Sequence, residues 1–154
     1  MSKAKQLTDT LFVLPIGRSA FFKMDSALKK ARQMLDKRFE EATIDLTVDQ
    51  WILIECLFVH KKLSQHQLAK LSDKDPATIT RILDITCKKN LTVRIPSPTD
   101  RRSFDILLTS YGKDAFAKAQ KQAIYVREKG FGRFSKGEYL KFCTLLDKIS
   151  QDLN

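Results

Sequence analysis

The chain has 154 residues, enough for one domain or for two small lobes that share a core, and its hydrophobic content of 43% is sufficient to fold. The formal net charge of +10 makes polyanions the first partners to consider. The odd number of cysteines, Cys56, Cys87 and Cys143, without a Cys-x-x-Cys pair, argues against structural disulfides and a zinc site and favours a reducing compartment.

The positive charge is concentrated in one part of the chain. Residues 61–102 carry ten Lys and Arg against four Asp and Glu, whereas residues 1–60 carry nine against eight and residues 103–154 carry nine against six. No segment is apolar enough for a signal core or a membrane span, because Arg18 and Lys23 interrupt the best N-terminal candidate. We therefore expect a cytoplasmic protein without membrane contact, whose partner binds residues 61–102.

The N-terminal part predicts two helices. Apolar residues recur at helical spacing over about residues 9–41, and Pro15 should end or kink a preceding turn, so the long helix is expected to begin near it. Thr47-x-x-Gln50 is a capping box, in which the hydroxyl and the amide satisfy free backbone groups at the start of a helix. It predicts a second helix that begins after Thr47.

The next segment predicts a helix-turn-helix. Ser64-x-x-Gln67 is another capping box and opens a short helix. Asp75-Pro76 is a strong start for the helix after it, because aspartate caps and proline in the first position loses no intrahelical bond. Asn90 tolerates the left-handed conformation and should end this second helix.

A basic hairpin should follow the helix-turn-helix. Leu91–Ile95 and Ser103–Leu108 read as two strands, and the loop between them ends in Asp100-Arg101-Arg102. A helix sized for the DNA major groove and followed by a cationic loop can read one groove while holding the next. This combination predicts a winged helix-turn-helix.

Two further helices are predicted at the C-terminal end. Thr109 or Ser110 caps the first, Gly130 and Gly132 should break it, and the capping box that begins at Ser135 opens the second. Both ends of the chain carry large apolar residues that a small monomer would struggle to cover; they are Leu11, Phe12, Phe21, Phe22, Phe131, Phe134, Tyr139 and Phe142. They favour a dimer interface, and the alternative is packing within one protomer.

Four motifs occur in a characteristic order and spacing. They are Leu46-Thr47-x-x-Gln50-Trp51, Gln65-x-x-Leu68-Ala69, Asp75-Pro76-Ala77-Thr78-Ile79-Thr80-Arg81, and Asp100-Arg101-Arg102 followed by Leu108-Thr109. Together they resemble the MarR family of bacterial winged-helix transcriptional regulators. The resemblance implies a mainly α fold with a small β-wing, in which a DNA-binding module at 46–109 is flanked by a helical dimerisation region at 9–45 plus 110–154.

Five residues are the candidates for DNA contact. Thr78, Thr80 and Arg81 lie on the first turns of the predicted recognition helix, where threonine can contact a base edge or a phosphate and arginine can bind guanine in a bidentate way. The resemblance places Arg101 and Arg102 at the tip of the wing, where one of them should enter the minor groove.

Three other residues have a predicted supporting role. Asp100 can pair with Arg102 and hold its planar group in place, or it can simply form the turn. In the resembling family, the position of Arg94 lies between the DNA-binding module and the dimer helices, so Arg94 is a candidate for binding a ligand carboxylate or for a structural salt bridge. Trp51 fits the core better than a ligand wall.

The expected function is a dimeric regulator, a repressor that binds a pseudo-palindromic operator in double-stranded DNA and is released by a small anionic or aromatic effector. No cofactor or metal is expected, and the chain contains no phosphate loop or nucleophile motif of an enzyme. One alternative is a regulator that senses oxidants through a cysteine such as Cys56. The other is a winged-helix module for protein interaction, against which the basic wing and recognition helix argue.

Overall fold

A computed structural model describes residues 16–98 and 103–153. Within these residues the chain forms a short 3-10 turn at Ile16–Arg18, six α-helices and three β-strands. The helices are α1 (Ala20–Glu41), α2 (Val48–His60), α3 (Gln65–Leu71), α4 (Pro76–Lys88), α5 (Ser110–Phe131) and α6 (Lys136–Asp152), and the strands are β1 (Lys62–Ser64), β2 (Thr92–Pro96) and β3 (Phe104–Leu108). The prediction of a mainly α fold with a small β-wing is confirmed.

Local side-chain chemistry starts the helices where the sequence predicts. Complete capping boxes, with both reciprocal hydrogen bonds, begin α2 at Thr47, α3 at Ser64 and α6 at Ser135. Asp75 caps α4 and Pro76 occupies its first turn. Asn90 follows the end of α4 with φ of 56°, the left-handed conformation predicted for it.

The sheet has a third strand that the sequence did not predict. The strand order is β1-β3-β2, with both pairs antiparallel, so β3 is central. Leu63 of β1 and Arg94 of β2 both lie opposite Ile106 of β3. β1 has only three residues, too few to show an alternating pattern, and β2 begins one residue later than predicted, at Thr92.

The buried side chains form two clusters. One joins α1, α2 and α5 and consists of Leu35, Phe39, Leu46, Val48, Trp51, Ile54, Leu91, Phe116, Ala119, Ala123 and Val126. The other lies under α4 and the sheet and consists of Leu53, Leu57, Leu63, Leu68, Ala69, Ile79, Ile82, Leu83 and Ile106. One side of α2 packs in the first cluster and the other side packs in the second. This helix therefore connects the arm formed by α1 and α5 to the helix-turn-helix. The division of the chain at 46–109 stays a prediction.

The predicted helix break at Gly130 is wrong. α5 continues through Gly130 and ends at Phe131, with Gly132 as its C-cap. A glycine near the end of a helix costs only about 1 kcal/mol relative to alanine, which the packing of a 22-residue helix outweighs. In the described ranges, α6 buries none of its side chains, and no helix there is both long enough and apolar enough to cross a membrane.

Candidate nucleic-acid interface

α4 presents one face to solvent and the other to the core. Ile79, Ile82, Leu83 and Thr86 are buried against the rest of the module. After the exposed Pro76 of the first turn, the exposed residues recur every three or four positions, and they are Ala77, Thr80, Arg81, Asp84, Ile85 and Lys88. We call this exposed set the reading face. It is a helix surface with small residues near its start and two cationic side chains.

The two threonines of the predicted site use their hydroxyl protons inside the protein. The Thr78 hydroxyl donates to Asp75 Oδ2 at 2.6 Å, while its backbone N–H donates to Asp75 Oδ1 at 2.8 Å. The Thr80 hydroxyl donates to the Pro76 carbonyl at 2.9 Å and accepts from Gln65 Nε2 at 2.5 Å. A base N–H could therefore donate to their remaining lone pairs or a base could contact their methyl groups, whereas a phosphate, which only accepts, would find no free hydroxyl proton there.

The two hydrogen bonds from Thr78 also change the pKa of Asp75, the residue that caps α4. The hydroxyl and the backbone N–H of Thr78 stabilise the charged form of Asp75, so the pKa of Asp75 is lowered from its ordinary value. The cap is ionised at neutral pH. Gln65, in the first turn of α3, is a brace that the sequence analysis did not identify, because its partner Thr80 lies 15 residues away on another helix.

Arg81 is an exposed cation of the reading face, as is Lys88 near the end of the helix. Its side chain is exposed, and no carboxylate of residues 16–98 or 103–153 forms an ion pair with it. Its position one turn inside α4 suits a contact with a base edge or a phosphate. Of the three predicted residues on this helix, Arg81 is therefore the one with a free donor group.

Arg94 lies on β2 and forms an ion pair with the reading face. Its Nη2 atom is 2.8 Å from Asp84 Oδ1. Asp84 is the carboxylate of the exposed side of α4, so Arg94 neutralises a charge that would otherwise repel a polyanion. This geometry matches the structural salt bridge that the sequence analysis considered for Arg94, and the role in ligand binding stays a prediction.

The wing residues Asp100, Arg101 and Arg102 lie outside the described residues. The strands on either side of them are described, and the backbone N–H of Ser97 donates to the carbonyl of Ser103 at 3.0 Å, which closes the base of the hairpin. The contacts predicted for the wing tip stay predictions.

A cleft between α1, α2 and α5 is lined in part by Trp51. The cleft has a volume of about 230 Å³ and is lined mainly by aliphatic side chains, together with Arg32, Trp51 and Arg127. Trp51 is 6% exposed, and within the described residues no acceptor receives its indole N–H. The Arg127 guanidinium lies 5.5 Å from the centre of the Trp51 ring. Arg32 is paired with Asp49, and Arg127 is paired with Glu55. An apolar cleft that includes two arginines has the chemistry for a small anionic aromatic molecule, provided that one of these pairs is released.

Known proteins share both the sequence pattern and the fold. A model of the MarR family matches residues 46–104. The HTH-type transcriptional repressor NicR of Pseudomonas putida is 31% identical over 127 residues, which cover 79% of this chain and 78% of NicR.

Two solved structures are similar in fold. BpsR of Bordetella bronchiseptica, described with regulation of its DNA binding by 6-hydroxynicotinic acid, has a TM-score of 0.81 at 19% identity, covering 89% of this chain and 96% of that one. A mutant of MarR from E. coli, complexed with operator DNA, has a TM-score of 0.77 at 20% identity, covering 89% and 94%. Together with the capped helices and the antiparallel wing, these matches show that the chain belongs to the MarR family of winged-helix transcriptional regulators.

Proposed function

We propose that this protein is a dimeric repressor that reads a pseudo-palindromic site in double-stranded DNA through α4. The observation that carries the proposal is the reading face, where Arg81 is exposed and has no ion-pair partner among the described residues, while Arg94 neutralises Asp84. The net charge of +10 favours association with DNA, because bound lysines and arginines displace condensed counterions. The complex of the related MarR fold with operator DNA supports the same use of the fold.

The wing completes the proposed interface. The sequence places Arg101 and Arg102 between β2 and β3, where one of them would enter the minor groove beside the half-site that α4 reads. Asp100 would hold the guanidinium of Arg102 in position. The three residues and Thr78 remain part of the proposed site, together with Thr80 on the reading face.

Exposed apolar side chains at both ends support a homodimer. Phe21, Phe22 and Leu28 of α1 are 44–58% exposed, and Leu140 and Leu145 of α6 are 53% and 48% exposed. Four predicted interface residues, Phe131, Phe134, Tyr139 and Phe142, contact one another at the corner between α5 and α6, and Leu11 and Phe12 lie outside the described residues. A soluble monomer rarely leaves so many large apolar side chains uncovered.

The effector would be a one-ring aromatic acid. A cavity of about 150 Å³ accommodates benzene, so the cleft beside Trp51 has room for such a molecule. Arg32 or Arg127 would bind the carboxylate after release from its ion pair with Asp49 or Glu55. Arg94 is the alternative candidate, and its ion pair with Asp84 would have to be released first.

A cysteine-based switch has less support. Burial raises the pKa of Cys56, and the nearby charge of Glu55 raises it further. The thiolate is the form that reacts with oxidants, so Cys56 is a poor sensor at neutral pH. Cys87 contacts the hydroxyl of Thr92, with a distance of 3.3 Å between Sγ and Oγ1, and its role there is in packing.

The test of DNA binding is selection from random duplexes. The purified full chain should enrich one sequence with two-fold pseudo-symmetry, whose half-sites are about 10 base pairs apart, and two protomers should bind each duplex. Enrichment of no sequence, or one protomer per duplex, would contradict the proposal. Sedimentation of the complex measures the stoichiometry.

The test of the effector uses the fluorescence of Trp51, the single tryptophan of the chain. Titration with 6-hydroxynicotinate or salicylate should quench this fluorescence and release the selected duplex. Arg127→Gln should weaken both effects if the cleft binds the acid, whereas Arg94→Gln should weaken them if Arg94 does. Release that neither substitution affects would exclude both candidate positions.

A further inference from the structure

Two carboxylates near the start of α2 hold the two lysines that flank α4. Asp49, in the first turn of α2, has its Oδ1 atom 2.9 Å from Lys74 Nζ, and Lys74 directly precedes the cap of α4. Asp45, in the connection between α1 and α2, has its Oδ1 atom 2.7 Å from Lys89 Nζ, and Lys89 is the C-cap of α4. Each end of α4 is therefore tied to residues 45–49, and we call these two ion pairs the clamp.

Further hydrogen bonds strengthen both ties. Lys89 Nζ also donates to the Asp45 carbonyl at 3.0 Å and lies 3.5 Å from Oε1 of the buried Gln50. The side chain of Lys74 is only 16% exposed. Arg32 of α1 donates to the same Asp49 oxygen at 3.1 Å, so Asp49 connects the arm helix to the start of α4. Both ammonium groups are occupied by these partners, although the pair of Lys89 with Asp45 lies at the surface, where the Asp45 side chain is 86% exposed.

We propose that Asp45 and Asp49 are positioning residues, which fix the orientation of α4 relative to α1 and so align the reading face with DNA. This inference rests on the proposed DNA-binding function. A single exposed ion pair contributes little to stability, but two pairs at opposite ends of one helix constrain its rotation as well as its position. A two-fold reader needs both of its helices aligned with their half-sites at once, so a small change of angle weakens both contacts.

The sign of the effect distinguishes positioning from simple electrostatics. Removal of a carboxylate from a DNA-binding protein makes the protein more positive, which should strengthen its binding to any duplex. Loss of the clamp should instead weaken binding to the selected duplex, because its sequence is read only in the correct orientation, and should leave a scrambled duplex unaffected or bound more tightly.

Asp114→Asn is the matched control for this experiment. Asp114 is exposed and lines the same cleft as Asp45 and Lys89, and among the described parts of the chain it has no ion-pair partner. It therefore tests the loss of one negative charge at this place without loss of the clamp.

The experiment compares the full-length parent, the double variant Asp45→Asn with Asp49→Asn, and Asp114→Asn. Fluorescence anisotropy measures their affinities for the duplex selected by the parent and for a scrambled duplex of equal length. The double variant should bind the selected duplex about threefold to tenfold more weakly and the scrambled duplex no more weakly. Asp114→Asn should weaken neither. The positioning role would be contradicted if the double variant bound the selected duplex as tightly as the parent or more tightly. It would also be contradicted if the affinities for the selected and the scrambled duplex fell by the same factor.

A measurement without DNA separates the clamp from the proposed function. Amide hydrogen exchange in α4 should become at least about threefold faster in the double variant, while exchange in α5 should be unchanged. If the parent binds no duplex, the proposed function fails and exchange alone decides the inference. The inference would be contradicted if the amides of α4 exchanged as slowly as in the parent, or if exchange became faster by the same factor in α4 and α5.

Discussion

Gly112 is required by the close approach of two segments at the base of the wing. A Cβ atom at this position would lie 2.0 Å from the carbonyl oxygen of Leu91, which accepts the backbone N–H of Thr109 at 3.1 Å. Gly112→Ala should therefore destabilise the protein by about 2–3 kcal/mol, because backbone and not a flexible side chain must move. Gly130→Ala, on the same helix and with open space around it, should stabilise it by about 0.5–1 kcal/mol. Urea unfolding measures both, and a stable Gly112→Ala variant would contradict this packing.

The carboxylate of Asp49 should make stability depend on pH. Burial raises the pKa of Asp49, but hydrogen bonds and charges from Lys74 and Arg32 outweigh it and leave the pKa below its usual value. A lowered pKa contributes stability that is complete above the unfolded value of about 4 and is lost as the pH falls through the folded value. Asp49→Asn should thus be less stable than the parent at pH 7, and the difference should shrink below about pH 4. A difference that is constant from pH 7 to pH 3 would show that the ion pairs do not stabilise the fold.

α6 contacts the described part of its own chain mainly through Tyr139 and Phe142, and against those residues none of its side chains is buried. Leu140→Glu combined with Leu145→Glu should convert a dimer to a monomer, since two charges would have to be buried at the interface. Ser150→Glu, at an exposed position on the opposite side of the same helix, is the control for added charge. Sedimentation equilibrium at micromolar concentration measures the outcome, and a double variant that stays dimeric would remove α6 from the interface.

The elements that could be predicted from sequence are those determined by neighbouring residues. The capping boxes at Thr47, Ser64 and Ser135 act over three residues, so the pattern alone located the starts of α2, α3 and α6. β1 could not be predicted, because a three-residue strand exists only through its pairing with β3, more than 40 residues away. The helix break predicted at Gly130 is wrong because packing along α5 outweighs the low helix propensity of glycine.

At the scale of the whole molecule, α2 connects the basic helix-turn-helix to the arm formed by α1 and α5. The sequence predicted the reading helix and its exposed Arg81, because capping and periodicity are local properties. It did not predict that Arg94 would pair with Asp84. Nor did it predict that Lys74 and Lys89 would form ion pairs with carboxylates near the start of α2, because these partners meet only after the tertiary structure forms. From the positive charge of the sequence alone, Arg94, Lys74 and Lys89 would all be assigned to DNA binding.

The salt dependence of DNA binding by the parent and by Arg81→Ala tests the central claim most directly. For the duplex that the parent selects, the affinity of the parent should fall by roughly a thousandfold or more between about 50 and 200 mM salt, as expected for at least about six phosphate contacts. Arg81→Ala should bind that duplex more weakly by roughly 1–3 kcal/mol. An affinity that does not change with salt, or an Arg81→Ala variant that binds as tightly as the parent, would contradict the assignment of α4 as the helix that reads DNA.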